Sequence, residues 1–475
     1  MRSVTSSFFW KAFEQYGVML IQLFLQIILA RIVAPSDFGA IAILNVFILI
    51  SSVFVYGGLP VALVRAPNVT TRDASSVFYF SATMAALFYA GWFLLSPFIA
   101  SFFSVDNLPS LLRIMLLSIF PNVYSSVQIA LLRRDMNFRP QAFANIFAIS
   151  LSGVIALIAA YQGAGVWALL LQHLLYSFTL PIFIFFYYRW VPSPYFSTQV
   201  LKKFISFGWK VFAFELTDVF FVQIRTLLIG GKYSSSDLAY YERGKQFPFL
   251  ILKGINGSLQ SVLLPKMSSV QEEKAQVFFL LRKSISISTF CLYPLLIYLY
   301  IAAPALIEFL LTEKWLLAVP YLRMFVISFA FWPVTTAIIQ ALYALGESGK
   351  VFISQLVRRI FDLLVLLFTY NFGVQAIALG EVAVGVIALP IFMLFSFSCL
   401  KYSFSQQLRD LILPIACSLP FFLIDFALHF IPIPHLVYLL ILLALGGVIY
   451  IALARLFRME ALFITFEILR KLLKR

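Results

Sequence analysis

The stretch WKAFEQYGVMLIQLFLQIILARIVAPSDFGA (10–40) decides the fold, because a long apolar run inside it ends in a motif that the chain repeats. Its apolar part reads from about residue 8 to 33, and a helix needs about 20 such residues to cross a hydrocarbon core about 30 Å thick. The run is too long for a signal-peptide h-region and has no small-residue cleavage site, so it reads as a first crossing. Further on stands WKVFAFELTDVFFVQIRTLLIGGKYSSSDLAY (209–240). It opens with the same Trp-Lys-x-Phe and closes with Ser-Asp-Leu-Ala where the first copy has Ser-Asp-Phe-Gly, given one extra residue between. Six apolar runs separate the two starts. An even number gives the copies parallel topology, the plan of transporters built from two six-helix lobes related by an axis along the membrane normal.

Outward from these copies, apolar runs recur at 39–64, 74–96, 108–132, 141–161, 165–187, 205–230, 238–264, 278–302, 317–344, 351–370, 375–398, 408–430 and 434–454. With the first, they predict an all-α integral membrane protein of about 14 transmembrane helices. Residues 1–200 form an expected N-terminal lobe (helices 1–6) and 201–400 a C-terminal lobe (helices 7–12). Residues 401–475 hold helices 13 and 14 and a cytoplasmic amphipathic tail. A membrane barrel would alternate apolar and polar residues in segments of about ten, whereas Leu439–Ala452 is continuously apolar. Composition agrees. The 475 residues are 62% hydrophobic and 12% charged, about half the charge of a soluble domain.

Lysine and arginine set the expected orientation. With the N terminus in the cytoplasm, about 26 of the 35 basic residues fall at cytoplasmic segments and about seven outside. Both termini are then cytoplasmic, as expected of a bacterial inner membrane protein. The net charge of +15 reads as topology signal and attraction to anionic lipid; without a soluble basic domain, nucleic acid is not an expected partner. At the end of the chain, Leu462, Phe466, Leu469 and Leu473 share one helical face, which suits a helix lying in the inner interface.

The connections are too short to house a catalytic domain. The sequence carries no P-loop, no Gly-x-Ser-x-Gly elbow, no His-Glu-x-x-His and no Cys-x-x-Cys. Cys291, Cys399 and Cys417 have no paired spacing, and the three histidines form no ligand pattern. The expectations are therefore no enzyme, no metal and no cofactor, with H⁺ or Na⁺ as a possible coupling ion.

Polar side chains inside the apolar runs point to the site. The first helix carries Lys11, Gln15, Gln22 and Gln26 along one face, with Glu14 beside it. The seventh carries Glu215, Asp218 and Arg225 along one face. An ionised side chain at the bilayer centre costs about 2.5–3.5 kcal/mol on insertion scales, so these groups are expected to face protein or a wet cavity. One reading pairs Glu215 or Asp218 with Arg225, or with Lys253 of the eighth helix, as structural glue. The other has Arg225 and Lys253 offer positive charge to an anionic head group, arginine's fork suiting phosphate oxygens, while Glu14, Glu215 and Asp218 bind the coupling ion. Glu381 and Asp362 are weaker candidates. Asp37 is expected to cap a helix. Pro248, Pro294, Pro333 and Pro390 fall inside runs, where each removes a backbone hydrogen bond.

ARIVAPSDFGAIAI (30–43), GLPVALVR (58–65), ALLRRDMNFRPQAF (130–143), GAGVWALLLQ (163–172) and LLIGGKYSSSDLAYYERGKQFP (227–248) resemble, in order and spacing, the polysaccharide flippase branch of the multidrug/oligosaccharidyl-lipid/polysaccharide exporter superfamily. The resemblance implies two lobes, alternating access, and an undecaprenyl-diphosphate oligosaccharide carried from the cytoplasmic to the outer leaflet. It also implies a cationic cavity, for which Arg225 and Lys253 fit, with Gln22 and Gln26 as sugar-contacting candidates. Membrane lipid, a polysaccharide polymerase and glycosyltransferases are the implied partners of a monomer. The alternative is an ion-coupled small-molecule exporter of the same superfamily; a membrane sugar polymerase or ligase would need a large outer loop.

Overall fold

A computed structural model describes residues 4–103, 105 and 107–473. The described chain is helical throughout and falls into two compact units, Met1–Ala239 and Tyr240–Arg475.

The first unit contains α1 (Val4–Ile32), α2 (Pro35–Tyr56), α3 (Leu59–Arg65), α4 (Thr71–Phe103), α5 (Leu108–Leu116), α6 (Ile119–Arg134), α7 (Phe138–Tyr161), α8 (Val166–Tyr187) and α9 (Thr198–Lys232). The first residues of α10 (Ser235–Ser268) also belong to it. The rest of α10 opens the second unit. There follow α11 (Lys274–Leu311), α12 (Val319–Phe329), α13 (Trp332–Ala344), α14 (Ser348–Thr369), α15 (Val374–Leu400), α16 (Phe404–Ser418), α17 (Pro420–His429), α18 (His435–Leu456) and α19 (Glu460–Leu473). Side chains of Phe466, Leu469 and Leu473, expected on the apolar face of the tail, lie outside the described residues; Leu462 is buried.

Each expected crossing is helical, but four are broken. The runs at 39–64, 108–132, 317–344 and 408–430 divide into α2 and α3, α5 and α6, α12 and α13, and α16 and α17. Pro333 and Pro420 stand in the first turn of α13 and α17, where the missing N–H costs nothing because no carbonyl lies four residues back inside the helix. Pro333 therefore starts a helix instead of interrupting one, contrary to its reading from sequence.

Among the described residues, eleven segments are long and apolar enough to cross a membrane. The expected crossings outside that set are α9, α10 and α14, which carry Glu215, Asp218 and Arg225, then Lys253, then Arg358, Arg359 and Asp362.

The duplication read from the two Trp-Lys copies is visible in the backbone. α1 ends at Ile32 and α2 begins at Pro35; α9 ends at Lys232 and α10 begins at Ser235. Asp37 takes the Ala34 N–H at the first of these turns. At the second, Asp237 accepts the Ser234 hydroxyl at 2.6 Å and its N–H at 3.3 Å, while the Asp237 N–H returns to Ser234 Oγ at 3.1 Å. Both carboxylates cap helix N-termini. The turns after α6 and α13 also match: Asn137 N–H donates to Leu132 O and Glu347 N–H to Leu342 O, each at 2.9 Å, the 6→1 bond of a Schellman motif.

Within the first unit α9 packs against α2, α3 and α4. The compact units thus divide one helix later than the lobe boundary at residue 200 drawn from the repeat. Glycine permits this packing and the approach of the first turn of α10 to α2. A β-carbon on Gly39 would lie 1.8 Å from the Ser235 carbonyl oxygen, and one on Gly58, at φ +75°, would lie 2.2 Å from the Gly208 oxygen. Neither obstacle is a side-chain tip that swings aside.

Gly39→Ala should therefore lower the unfolding temperature in detergent sharply, overpacking costing about 1–3 kcal/mol or more. Gly91→Ala, whose β-carbon meets nothing within 4 Å, should leave it unchanged or slightly raised. Equal behaviour of the two would contradict the close approach at Gly39.

Candidate functional site

Glu14 is a densely bonded site residue. It is 5% exposed, where α1 lies along α7. Its Oε1 accepts from Gln141 Nε2 at 2.9 Å and from Asn145 Nδ2 at 2.6 Å, both on α7. Its Oε2 accepts from Lys11 Nζ at 3.0 Å, one turn back on α1. Asn145 Oδ1 in turn accepts from the Tyr176 hydroxyl of α8 at 2.8 Å. The cluster joins three helices through one carboxylate whose charge is met by an ammonium and two amides, as burial requires. On sequence Glu14 stood beside the polar face of α1; in the fold it is the buried member, while Gln15 and Gln22 are exposed and Gln26 is half-buried.

The three groups on α9 have separate surroundings. Glu215 is half-buried and accepts the backbone N–H of Gly58, so it caps α3 at the turn after α2. Asp218 is exposed. Arg225 is 7% exposed and lies with Thr226, Ile229 and Gly230 on the buried stripe of α9. Gly230 closes that stripe against Ile43 of α2.

In the second unit Lys253 of α10 is exposed, its Nζ 5.9 Å from the ring centroid of Phe249. Two further cations of α10, which sequence reading did not single out, sit deeper. Arg243 is 5% exposed; its Nη1 donates to Gln246 Oε1 at 2.7 Å and its guanidinium stands 5.0 Å from the Trp315 ring centroid. Lys245 Nζ is 3.9 Å from Glu381 Oε1 of α15, which also accepts the Tyr241 hydroxyl at 2.7 Å. The signal available in the sequence was three basic residues, Arg243, Lys245 and Lys253, within the one expected crossing at 238–264.

Among the described residues, one cleft of about 430 Å³ lies beside Phe47, Phe98 and Leu227, and another of about 890 Å³ lies beside Phe404, Arg409 and Phe457. Arg225, Lys253, Gln22 and Gln26 line neither. Among the described residues no group of three or more His, Cys, Asp or Glu is placed to hold a metal ion.

Residues 28–320, more than half of the chain, match the family model described as polysaccharide biosynthesis protein. The chain belongs to that family. Its relatives include the succinoglycan biosynthesis transport protein ExoT of Rhizobium meliloti, 25% identical over 76% of this chain and 73% of that protein. The teichuronic acid biosynthesis protein TuaB of Bacillus subtilis is 25% identical over 57% of this chain and 56% of its own length. Among solved structures, the lipid II flippase MurJ in an inward closed conformation superposes with a TM-score of 0.75 at 15% identity, covering 95% of this chain and 98% of that one. An inward-facing multidrug resistance MATE transporter of the MOP superfamily gives 0.57, also at 15% identity, over 81% and 96%. At such identities these likenesses establish a shared fold. The polysaccharide biosynthesis family and the multi-pass helical architecture agree with the resemblance read from the five sequence stretches.

The bonding around Glu14 sets a stability expectation. Glu14→Ala strands two amide donors and an ammonium, and should destabilise the protein by about 2–4 kcal/mol, read as a fall in unfolding temperature in detergent. Gln22→Ala, at an exposed position, should change it by less than about 0.5 kcal/mol. A Glu14→Ala protein as stable as the wild type would show that the cluster does not hold α1 to α7.

Proposed function

We propose that this protein translocates undecaprenyl-diphosphate-linked oligosaccharide repeat units from the cytoplasmic to the outer leaflet of the bacterial inner membrane by alternating access. The observation that carries this reading is the family match over residues 28–320, which runs from the end of α1 into α12. Relatives named for succinoglycan transport and teichuronic acid synthesis support a saccharide cargo. The polar content of α9, α10 and α14 supports a passage walled in part by the second repeat, since lipid does not tolerate such groups without partners or water.

In this reading Arg225 and Lys253 receive the diphosphate, and Gln22 and Gln26 contact sugar hydroxyls. Lys253 and Gln22 are exposed as such roles need; Arg225 is buried and must be uncovered during the cycle to meet a head group. Of the three carboxylates assigned to the coupling ion, H⁺ or Na⁺, Glu14 is best supported, because its ligand shell of Lys11, Gln141 and Asn145 would reorganise on binding a cation. Glu215 already serves the α3 N-terminus. Both termini lie in the cytoplasm, and the protein acts as a monomer alongside the glycosyltransferases and polymerase that supply and consume its cargo. An ion-coupled small-molecule exporter shares the fold, but the family match favours the saccharide.

Leaflet-resolved transport of a defined undecaprenyl-diphosphate oligosaccharide, in vesicles containing only this protein, tests the reading. Lys253→Ala and Arg225→Ala should each slow transport about tenfold or more, the worth of a charge-assisted hydrogen bond, without loss of folded protein. Transport at the wild-type rate in both would remove the diphosphate assignment. Glu14→Gln should abolish dependence on an imposed H⁺ or Na⁺ gradient, and retained dependence would move the coupling role elsewhere.

A further inference from the structure

Pro97 and Pro304 lie inside α4 and α11. Because proline has no N–H, the carbonyl four residues earlier loses its helical donor, and those carbonyls belong to Phe93 and Tyr300. In both units an arginine from the following helix meets the freed oxygen. Arg113 of α5 donates from Nη2 to Phe93 O at 3.3 Å and from Nε to Ser96 Oγ at 2.8 Å, and the Ser96 hydroxyl itself donates to Phe93 O at 2.8 Å. Arg323 of α12 donates from Nε to Tyr300 O at 3.2 Å. Each guanidinium also stands over the ring of the residue whose carbonyl it serves, 4.1 Å from the centroid of Phe93 and 5.3 Å from that of Tyr300.

The two arrangements occupy equivalent places in the duplication. α4 and α11 are each the third crossing of a repeat, and α5 and α12 each open the fourth. The arginines share their surroundings: residues 111–117 and 321–327 show the same succession of buried, half-buried and exposed positions. The one difference in bonding has a local cause. Ala303 stands where the first copy has Ser96, so Arg323 has no hydroxyl to relay through and reaches the carbonyl directly. The second unit repeats the principle once more with a neutral donor: Pro294 frees the carbonyl of Phe290, which accepts the Tyr450 hydroxyl of α18 at 2.8 Å.

We propose that Arg113 and Arg323 are paired positioning residues, each fastening the proline-weakened point of the third crossing in its repeat to the fourth through the backbone oxygen that the proline sets free. In a medium without water the oxygen needs a donor, and a guanidinium bound to it, with its face on the adjacent ring, holds the helix at its least constrained residue. The device is independent of what the protein carries.

The test uses the proline as a switch. Arg113→Ala should lower the unfolding temperature in detergent by several degrees and speed hydrogen exchange around residues 94–101. In a Pro97→Ala background the N–H of residue 97 bonds Phe93 O again, so adding Arg113→Ala there should cost much less. Arg323→Ala should behave likewise with and without Pro304→Ala. Equal losses in both backgrounds would mean that the arginines serve something other than the freed carbonyls, and no loss from Arg113→Ala beside the native proline would equally overturn the proposal. Should Pro97→Ala fail to fold, Arg113→Lys, which keeps a charged donor, should stay more stable than Arg113→Met; a lysine variant no better than the methionine one would refute it.

Discussion

A polypeptide in hydrocarbon must satisfy its backbone polar groups from within, since no water is there to do so, and the rest of this structure follows from that demand. It makes the chain helical, and it makes an interruption of a helix a place where another part of the molecule is called on, as at Pro97, Pro294 and Pro304. Prolines in the first turn of α13 and α17 interrupt nothing, because the bond they lack would not exist there. Those inside α4 and α11 release carbonyls that Arg113, Arg323 and Tyr450 take up. A defect of local geometry thus becomes a point of attachment between helices.

The same demand governs side chains. Glu14, Glu215 and Glu381 each find donors within their own unit: two amides and an ammonium, a backbone N–H, a phenol with a more distant lysine. A carboxylate held in this way is a fixed negative point between helices, and Glu14 with Asn145 and Tyr176 joins three of them. The cations differ: Arg243 and Arg225 are buried, whereas Lys253 is exposed.

Duplication explains why one solution recurs. The turns joining α1 to α2 and α9 to α10, the Schellman turns after α6 and α13, and the arginines on α5 and α12 pair across the repeat. Yet the copies have not stayed independent. α9, the first helix of the second copy, packs into the first unit through Gly58, Gly208 and Gly230, and the start of α10 meets Gly39, so a boundary drawn on sequence at residue 200 and one drawn on packing after Ala239 differ by one helix.

Sequence alone determined the helical membrane class, the approximate crossings, the internal repeat and the family, because each depends on the local run of apolar residues or on order along the chain. It also named Glu14, Glu215, Asp218, Arg225, Lys253, Gln22 and Gln26 as polar groups in apolar surroundings, which composition reveals. Only the tertiary structure decided which of them are buried, that Glu14 is held by Gln141 and Asn145 of α7, that Arg243 and Lys245 lie deeper than Lys253, and that arginines answer prolines. Those outcomes depend on the rotation of one helix against another. A turn of 100° per residue moves a side chain from solvent to core without changing its place in the sequence.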